Sequence, residues 1–160
     1  MTHALVLLLA LLIGVIAGLR AFTAPAVMAW AAFLHWINLS GTWASWVGHW
    51  ATVTVLTIID IAELVSDQME QTPSRKTAVQ FVTRLITGGF AGAVLGTAWG
   101  YPWSSLGMGI IGAVLGTIGG YEARTRLVRA TGGRDRPIGV LEDVVAAVGG
   151  VAIAVLASVL

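Results

Sequence analysis

Residues 85–121 read LITGGFAGAVLGTAWGYPWSSLGMGIIGAVLGTIGGY and contain no Asp, Glu, Lys or Arg. Within and around this stretch, two apolar runs, 81–98 and 104–121, are separated by the aromatic connection WGYPW. A helix of about 20 apolar residues spans the hydrocarbon core of a bilayer, and Trp and Tyr concentrate at the membrane–water interfaces. The pattern is therefore typical of two membrane-crossing helices joined at one membrane surface.

The composition of the whole chain favours the same interpretation. Of 160 residues, 57% are hydrophobic and 11% are charged, whereas a soluble domain carries about 25% charged residues. The net charge of +1 gives no argument for nucleic acid binding. Cysteine is absent, which excludes disulfides, thiolate zinc sites and iron–sulfur clusters. We predict a single all-α transmembrane domain over residues 1–160, and the segment before residue 5 has no Lys or Arg to favour a cleaved signal peptide.

The positions of the charges predict the topology of a polytopic bundle of five or six segments. All 17 charged residues lie at position 20, in 60–84 or in 122–143. Positively charged loops remain cytoplasmic, so we expect loops 67–80 and 122–138 in the cytoplasm of a bacterium and the C-terminus outside its inner membrane. The predicted segments are 5–19, 22–36, 50–66, 81–98, 104–121 and 139–160.

The first 36 residues allow more than one arrangement. An unbroken helix over 5–36 would be about 48 Å long, which exceeds a hydrocarbon core of about 30 Å. Gly18, Arg20, Thr23 and Pro25 mark a break. The two halves can form a tight hairpin with Arg20 at the cytoplasmic face, one broken span with Arg20 near mid-membrane, or a re-entrant pair.

Glycines recur every four residues in two segments and place a face without side chains on each helix. Such faces let helix backbones approach closely in lipid. We therefore predict glycine-zipper packing, within the chain or between subunits of a homo-oligomer. The glycines concerned are Gly88, Gly92, Gly96, Gly100, Gly112, Gly116 and Gly120.

Three acidic residues, Asp60, Glu63 and Asp67, are spaced for one helix face at the end of segment 50–66. The helix dipole disfavours negative charge there. They could be structural partners of Arg20 or Arg84, with Asp67 at the interface, or they could form a proton or cation site, because acids within a membrane usually face a cavity or a partner. Arg20 itself is either an interfacial anchor or an anion contact beside the helix break.

Two further groups have a structural and a functional interpretation. Thr72, Ser74 and Arg75 belong to the run TPSR, which is either a helix start or a phosphate-binding turn. Glu142 and Asp143 either cap the last segment electrostatically or contribute to the binding site. The arginine-rich loop from Arg124 to Arg136 is the positive-inside signal and could also contact anionic lipid headgroups. No metal-ligand pattern, P-loop or nucleophile elbow is present, so neither a cofactor nor an enzyme class is indicated.

Four blocks of the sequence resemble a family of small bacterial membrane proteins known as domain of unknown function 4126. They are GLRAFTAPAVMAWAA, AELVSDQMEQTPSR, GGYEARTRLV and VLEDVVA. The resemblance covers most of the chain and implies no activity. A fainter likeness to undecaprenyl-pyrophosphate phosphatases rests on GLRAF, the pair Glu63 and Asp67, and TPSR. The serine-rich run after the Phe and the Gly of the phosphatases' second motif are missing.

These observations give three hypotheses for the function. The first is a small transporter or channel for a charged or amphipathic solute, coupled to protons, whose site is lined by Arg20 and the acidic face of Asp60, Glu63 and Asp67. The second is a lipid-phosphate enzyme or carrier that uses TPSR and Arg84. The third is an accessory membrane subunit without a pathway of its own.

Overall fold

The computed structural model of the protein describes residues 1–66, 78–133 and 135–160. In this part of the chain the architecture is all-helical, with six α-helices and one short 3₁₀ helix, Ser45–Gly48. The α-helices are α1 (His3–Leu19), α2 (Thr23–Phe33), α3 (Trp50–Ser66), α4 (Ala78–Thr97), α5 (Pro102–Ala130) and α6 (Asp135–Val159). The predicted all-α bundle, with its first segment divided in two, is confirmed.

Three helices, α4, α5 and α6, are long and apolar enough to cross a membrane, and α1 and α2 are shorter apolar helices. Many large apolar side chains remain exposed on the outer faces of the bundle, for example Ile58 on α3, Ile118 on α5 and Val148 on α6. An apolar outer surface of this extent suits a lipid environment. The fold is therefore compatible with a multi-pass membrane protein.

Helices α1 and α2 fold back on each other as a hairpin, so they do not form the single broken span that the sequence also allowed. His3, at the start of α1, lies 3.3 Å from the hydroxyl of Ser104 and stacks against Tyr101. After α2, Trp43 donates its indole N–H to Thr97 at 3.0 Å. The start of α1 and the connection that follows α2 thus both reach the α4–α5 connection. We call this side of the bundle the aromatic end, and the opposite side, where the chain reverses at residues 20–22, the charged end.

Helices α1, α4 and α5 pack backbone against backbone through their glycines. A methyl group added at Gly88 would lie 2.7 Å from Ala113 Cβ, and one at Gly92 would lie 3.0 Å from the Cα of Gly109. Added at Gly116, it would lie 2.9 Å from the Cα of Val15. Such distances are shorter than van der Waals contact and leave no room for a side chain. The spaced glycines therefore lie where α4 and α1 both pack closely against α5, and α1 and α4 also contact each other.

One of the spaced glycines, Gly100, does not belong to these contacts. It lies beyond the end of α4, with φ at +81° and open space around it. A glycine tolerates this left-handed conformation because it has no Cβ, so Gly100 serves the turn and its predicted packing role is wrong. Gly120 lines a cavity beside α6.

The predicted loop 122–138 is mostly helical, so that prediction is wrong in its extent. Helix α5 continues to Ala130, and α6 begins at Asp135. Arg and Ala favour helix, and an exposed ion pair between Glu122 and Arg126, one turn apart, adds local support. At 29 residues α5 is about 43 Å long, so its last turns extend beyond the apolar part of the bundle.

Candidate functional site

The reversal at residues 20–22 follows from local sequence. Pro25 lacks an N–H and its ring would clash with the carbonyl group four residues earlier, so a helix cannot continue through Ala21. Arg20 adopts an extended conformation (φ −139°, ψ 118°). Pro25 then stands in the first turn of α2, where backbone N–H groups have no intrahelical acceptor in any case. Two helix ends are therefore placed inside the bundle, and their polar backbone groups require partners.

Glu63 on α3 binds the N-terminal end of α2 with both carboxylate oxygens. The backbone N–H groups of Ala21 and Phe22 each donate to one oxygen at 2.8 Å. Negative charge at a helix N-terminus is stabilised by the helix dipole and by these otherwise unpaired donors. Glu63, which belongs to α3, thus acts as a charged N-terminal cap of α2.

Asp60, one turn before Glu63, binds the first residue of α2. The hydroxyl of Thr23 donates to its carboxylate at 2.6 Å. Asp60 and Glu63 therefore share one face of α3, as their spacing predicts, and that face is turned toward the reversal. Both side chains are only partly exposed.

The C-terminal end of α1 is bound by a cation, whereas the N-terminal end of α2 is bound by a carboxylate. Arg84 on α4 donates from Nη1 to the carbonyl oxygen of Gly18 at 2.8 Å, and the hydroxyl of Thr117 on α5 lies 3.3 Å from the same oxygen. A cation suits the negative end of a helix dipole. The Arg84 side chain is buried, so this contact is made in the interior.

Arg20 is fully buried and forms a salt bridge with Asp143 of α6. The interpretation of Arg20 as an exposed interfacial anchor is therefore wrong. Asp143 and Glu142 lie about two turns inside α6, which begins at Asp135, so their interpretation as helix caps is also wrong. The predicted last segment begins at residue 139, four residues after the start of α6, because the charges up to residue 138 were assigned to a loop.

Beside this salt bridge, a second set of charges links α5 to α6. Arg124 donates to both carboxylate oxygens of Asp135, at 2.8 and 2.7 Å, and reaches Glu142 at 3.5 Å. A bidentate arginine–carboxylate contact fixes the orientation of both side chains. The charged end thus contains two neighbouring centres, one at the reversal and one between α5 and α6.

Seven of the described charged side chains are buried or half-buried, four carboxylates and three guanidinium groups. They are Asp60, Glu63, Glu142 and Asp143, and Arg20, Arg84 and Arg124.

Some predicted site residues fall outside the described residues. They are Asp67, Thr72, Ser74 and Arg75. Within the described ranges, no group of three or more His, Cys, Asp or Glu side chains is placed to hold a metal ion.

The sequence missed several participants at the reversal. They are the backbone amides of Ala21 and Phe22, the hydroxyls of Thr23 and Thr117, and the carbonyl of Gly18. Backbone groups have no signature in a sequence, and Thr117 lies 99 positions from its partner. Only the break marked by Thr23 and Pro25 pointed to the place where these groups meet.

The comparison with known families assigns most of the chain to one family. The family model described as Domain of unknown function (DUF4126) matches residues 7–160. The chain belongs to this family. The match includes both halves of the hairpin and all the charged residues named above, so the reversal lies within the family's domain. No curated protein and no solved structure matches the chain.

Replacing Glu63 with glutamine is expected to loosen the start of α2. The amide retains one acceptor oxygen, so one of the two buried N–H groups loses its partner, at a cost of roughly 1–3 kcal/mol. Hydrogen exchange of a peptide containing Ala21 and Phe22 should accelerate. Glu122→Gln, at an exposed position on α5, is the matched control. Unchanged exchange in Glu63→Gln would contradict the capping role.

Proposed function

We propose that the chain is a small membrane transporter or channel that moves a small charged or amphipathic solute and couples this movement to protons. Its site is the reversal with the five charged side chains around it, which we call the charge cluster. The cluster consists of Arg20, Asp60, Glu63, Arg84 and Asp143.

One observation carries this proposal: two short apolar helices reverse inside the bundle, and charged side chains from three other helices converge on the reversal. Discontinuous helices whose ends point at a charged site are a recurring way to build substrate sites in transporters. Ionisable side chains are expensive in a membrane and are retained mainly for function. A purely structural helical hairpin could be closed by an ordinary turn at the membrane surface, without five interior charges.

The contacts within the charge cluster also support a switching role. Glu63 binds the N-terminal end of α2 through its carboxylate. Protonation of this carboxylate would remove the negative charge that the two amides stabilise. A solute that binds Arg20 or Asp143 would compete with their salt bridge. Binding of a proton or binding of a solute would therefore weaken the contacts that hold the hairpin against α3 and α6.

Orientation and assembly are part of the proposal. The charged end would face the cytoplasm, because exposed Arg126 and Arg129 lie on the last turns of α5 and Arg136 at the start of α6. The same arginines would contact anionic lipid headgroups. The exposed apolar faces of α3 and α6 offer surface for a homo-oligomer.

Transport is tested with purified protein in liposomes that contain a pH-sensitive dye. A panel of small ammonium, carboxylate and phosphate compounds is added outside, and the internal pH is followed. We expect one charged class to change the internal pH faster than in protein-free liposomes. Glu63→Gln should slow this change at least ~10-fold, because a barrier higher by about 1.4 kcal/mol, the size of one lost charge-assisted hydrogen bond, is already a factor of ten. Glu122→Gln should leave it unchanged.

The proposal fails if no member of the panel moves protons, and none enters as a radiolabelled compound, above the protein-free rate. It also fails if folded Glu63→Gln transports as well as the wild type. Hydrogen exchange of α4 and α5, away from the reversal, shows whether the variant is folded.

A further inference from the structure

We propose that a cavity in the connection between α2 and α3 binds a small organic carboxylate. Hydrogen-bond donors on the wall of the cavity would bind the carboxylate, and apolar side chains would hold its hydrocarbon part. The cavity lies at the aromatic end, since Trp43 of the same connection donates to Thr97 there. It is therefore a second site, at the opposite end of the bundle from the charge cluster, and its existence does not depend on transport.

The connection between α2 and α3 is folded and packed. It buries the side chains of Ile37, Leu39 and Val47, each of which is at most 5% exposed. The ring of Trp46 packs against Phe90 of α4, with the ring centres 5.9 Å apart. Most connecting segments lie on the surface without such anchors. The groups that line the cavity are therefore held in defined positions.

The cavity, which we call the connection cavity, has a volume of about 450 Å³. Its apolar walls include Ile37, Leu39 and Trp46. Its polar lining residues are His35, Asn38, Ser40, Ser45 and His49. Residues 21–59 contain no Asp or Glu, so this part of the chain supplies no carboxylate to the wall. Sites for small organic molecules combine apolar walls with a few polar groups in this way.

Two backbone contacts determine which polar atoms remain for a ligand. The N–H of Ser40 donates to Oδ1 of Asn38 at 3.0 Å, and the N–H of Ala51 donates to Nδ1 of His49 at 3.3 Å. A backbone N–H can only donate, so each of these side-chain atoms must be the acceptor. The other polar atoms of the two side chains, the Asn38 amide nitrogen and Nε2 of His49, are therefore donors.

The remaining polar groups can also donate. His35 has one ring N–H in either neutral form, and the hydroxyls of Ser40 and Ser45 each carry a proton. Hydrogen bonds to an ionised oxygen are about twice as strong as those to a neutral acceptor. A set of donors without a carboxylate beside it therefore suits an oxyanion, whereas a cation would find the two acceptors already engaged.

The apolar walls distinguish an organic acid from an inorganic anion. A ligand that carries a hydrocarbon group gains about 25 cal/mol for each Å² of apolar surface that it removes from water. Inorganic phosphate has no such surface and would leave the walls formed by Ile37, Leu39 and Trp46 without a partner. We therefore assign the connection cavity to a carboxylate with an aryl or alkyl group.

Equilibrium binding of radiolabelled benzoate to the protein in phosphatidylcholine nanodiscs tests the proposal. Benzamide has the same shape without the charge, and acetate and inorganic phosphate have the charge without the aryl group. We expect saturable binding of one benzoate per chain. Benzamide, acetate and phosphate should each compete at least ~10-fold more weakly, because one lost contribution of ordinary size changes the affinity tenfold.

Asn38→Asp tests the donor at the wall of the cavity. The aspartate still accepts from the Ser40 N–H, so the local fold is retained, but a negatively charged oxygen replaces the amide nitrogen. We expect benzoate binding to weaken at least ~10-fold. Ser158→Asp adds the same charge at an exposed position near the end of α6 and should bind as the wild type does.

His49→Ser tests the second donor. Serine is a good N-cap and can still accept from the Ala51 N–H, whereas the ring N–H is lost. Benzoate binding should again weaken at least ~10-fold. The control is His3→Ser, because His3 lies at the same end of the bundle but contacts Ser104 and Tyr101; its binding should be unchanged.

The proposal is overturned if the wild type shows no saturable binding, as it would if lipid headgroup phosphates occupied the cavity. It is also overturned if benzamide competes as well as benzoate, or if Asn38→Asp and His49→Ser both bind as the wild type does. Saturable, variant-sensitive binding supports the site whether or not the protein moves protons. Proton movement without benzoate binding would retain the proposed transport and reject the site.

Discussion

Replacing Gly112 with alanine is expected to destabilise the bundle by about 3 kcal/mol, a cost at the upper end for overpacking. The added methyl group would lie 2.9 Å from the backbone nitrogen of Val15 and 3.0 Å from the carbonyl carbon of Gly14. Both atoms belong to the backbone of α1, so no side-chain rotation can relieve the overlap. Helix α1 would have to move away from α5 along much of their shared length.

The measurement is thermal unfolding of the purified protein in detergent, followed by tryptophan fluorescence. A loss of about 3 kcal/mol corresponds to a lower midpoint by about 6–12 °C for a chain of this size. Gly107→Ala, on the same helix in open space, is the control and should be neutral or gain up to about 1 kcal/mol from helix propensity. Equal midpoints for the two variants would show that α1 and α5 are not in backbone contact.

Replacing Arg20 with methionine should have a comparable or larger effect. The change leaves Asp143, whose side chain is 16% exposed, without the guanidinium that neutralises it. Breaking a buried ion pair by removing one partner costs about 3–5 kcal/mol, while replacing both partners with apolar residues can be neutral. The double variant Arg20→Met with Asp143→Leu should therefore recover most of the stability lost in either single variant.

Arg126→Met is the matched control because the pair of Arg126 and Glu122 is 76% and 55% exposed. An exposed pair contributes less than about 1 kcal/mol. The same thermal unfolding assay compares the wild type, Arg20→Met, Asp143→Leu and the double variant as a double-mutant cycle, and Arg126→Met is measured beside them. If the double variant loses as much stability as the two single variants together, the salt bridge is not the reason why Arg20 is buried. The double variant should at the same time lose solute-dependent proton movement, since it removes two members of the charge cluster.

Much of the fold could be predicted because apolar segments and charges are separated along this chain. Helix α3 has the predicted bounds, and the four-residue glycine spacing indicates which faces of α4 and α5 lack side chains. The ends of α5 and α6 could not be predicted as well. Arg and Glu residues are typical both of a cytoplasmic loop and of a helix that continues into water, and the choice depends on contacts such as Arg124 with Asp135.

The candidate site could be predicted only in part. Arg20, Asp60, Glu63, Arg84, Glu142 and Asp143 were all identified as charges in apolar surroundings, because such residues are rare in membrane segments. Their partners could not be assigned. One of the two hypotheses for Glu63 paired it with Arg20 or Arg84, but neither named the two backbone amides that donate to it. A backbone amide is the same in every residue except proline.

The sequence by itself determined that this chain is all-helical and apolar enough for a multi-pass membrane protein, because hydrophobicity and charge act locally along each segment. It also determined that the first apolar stretch must break near Arg20, since Pro25 cannot continue a helix and the stretch is too long for one span. Only the tertiary structure decided that the break is a hairpin, that Arg20 is buried against Asp143, and that Glu63 caps α2. Those outcomes depend on which helices lie side by side, and that is set by packing between residues up to about 120 positions apart.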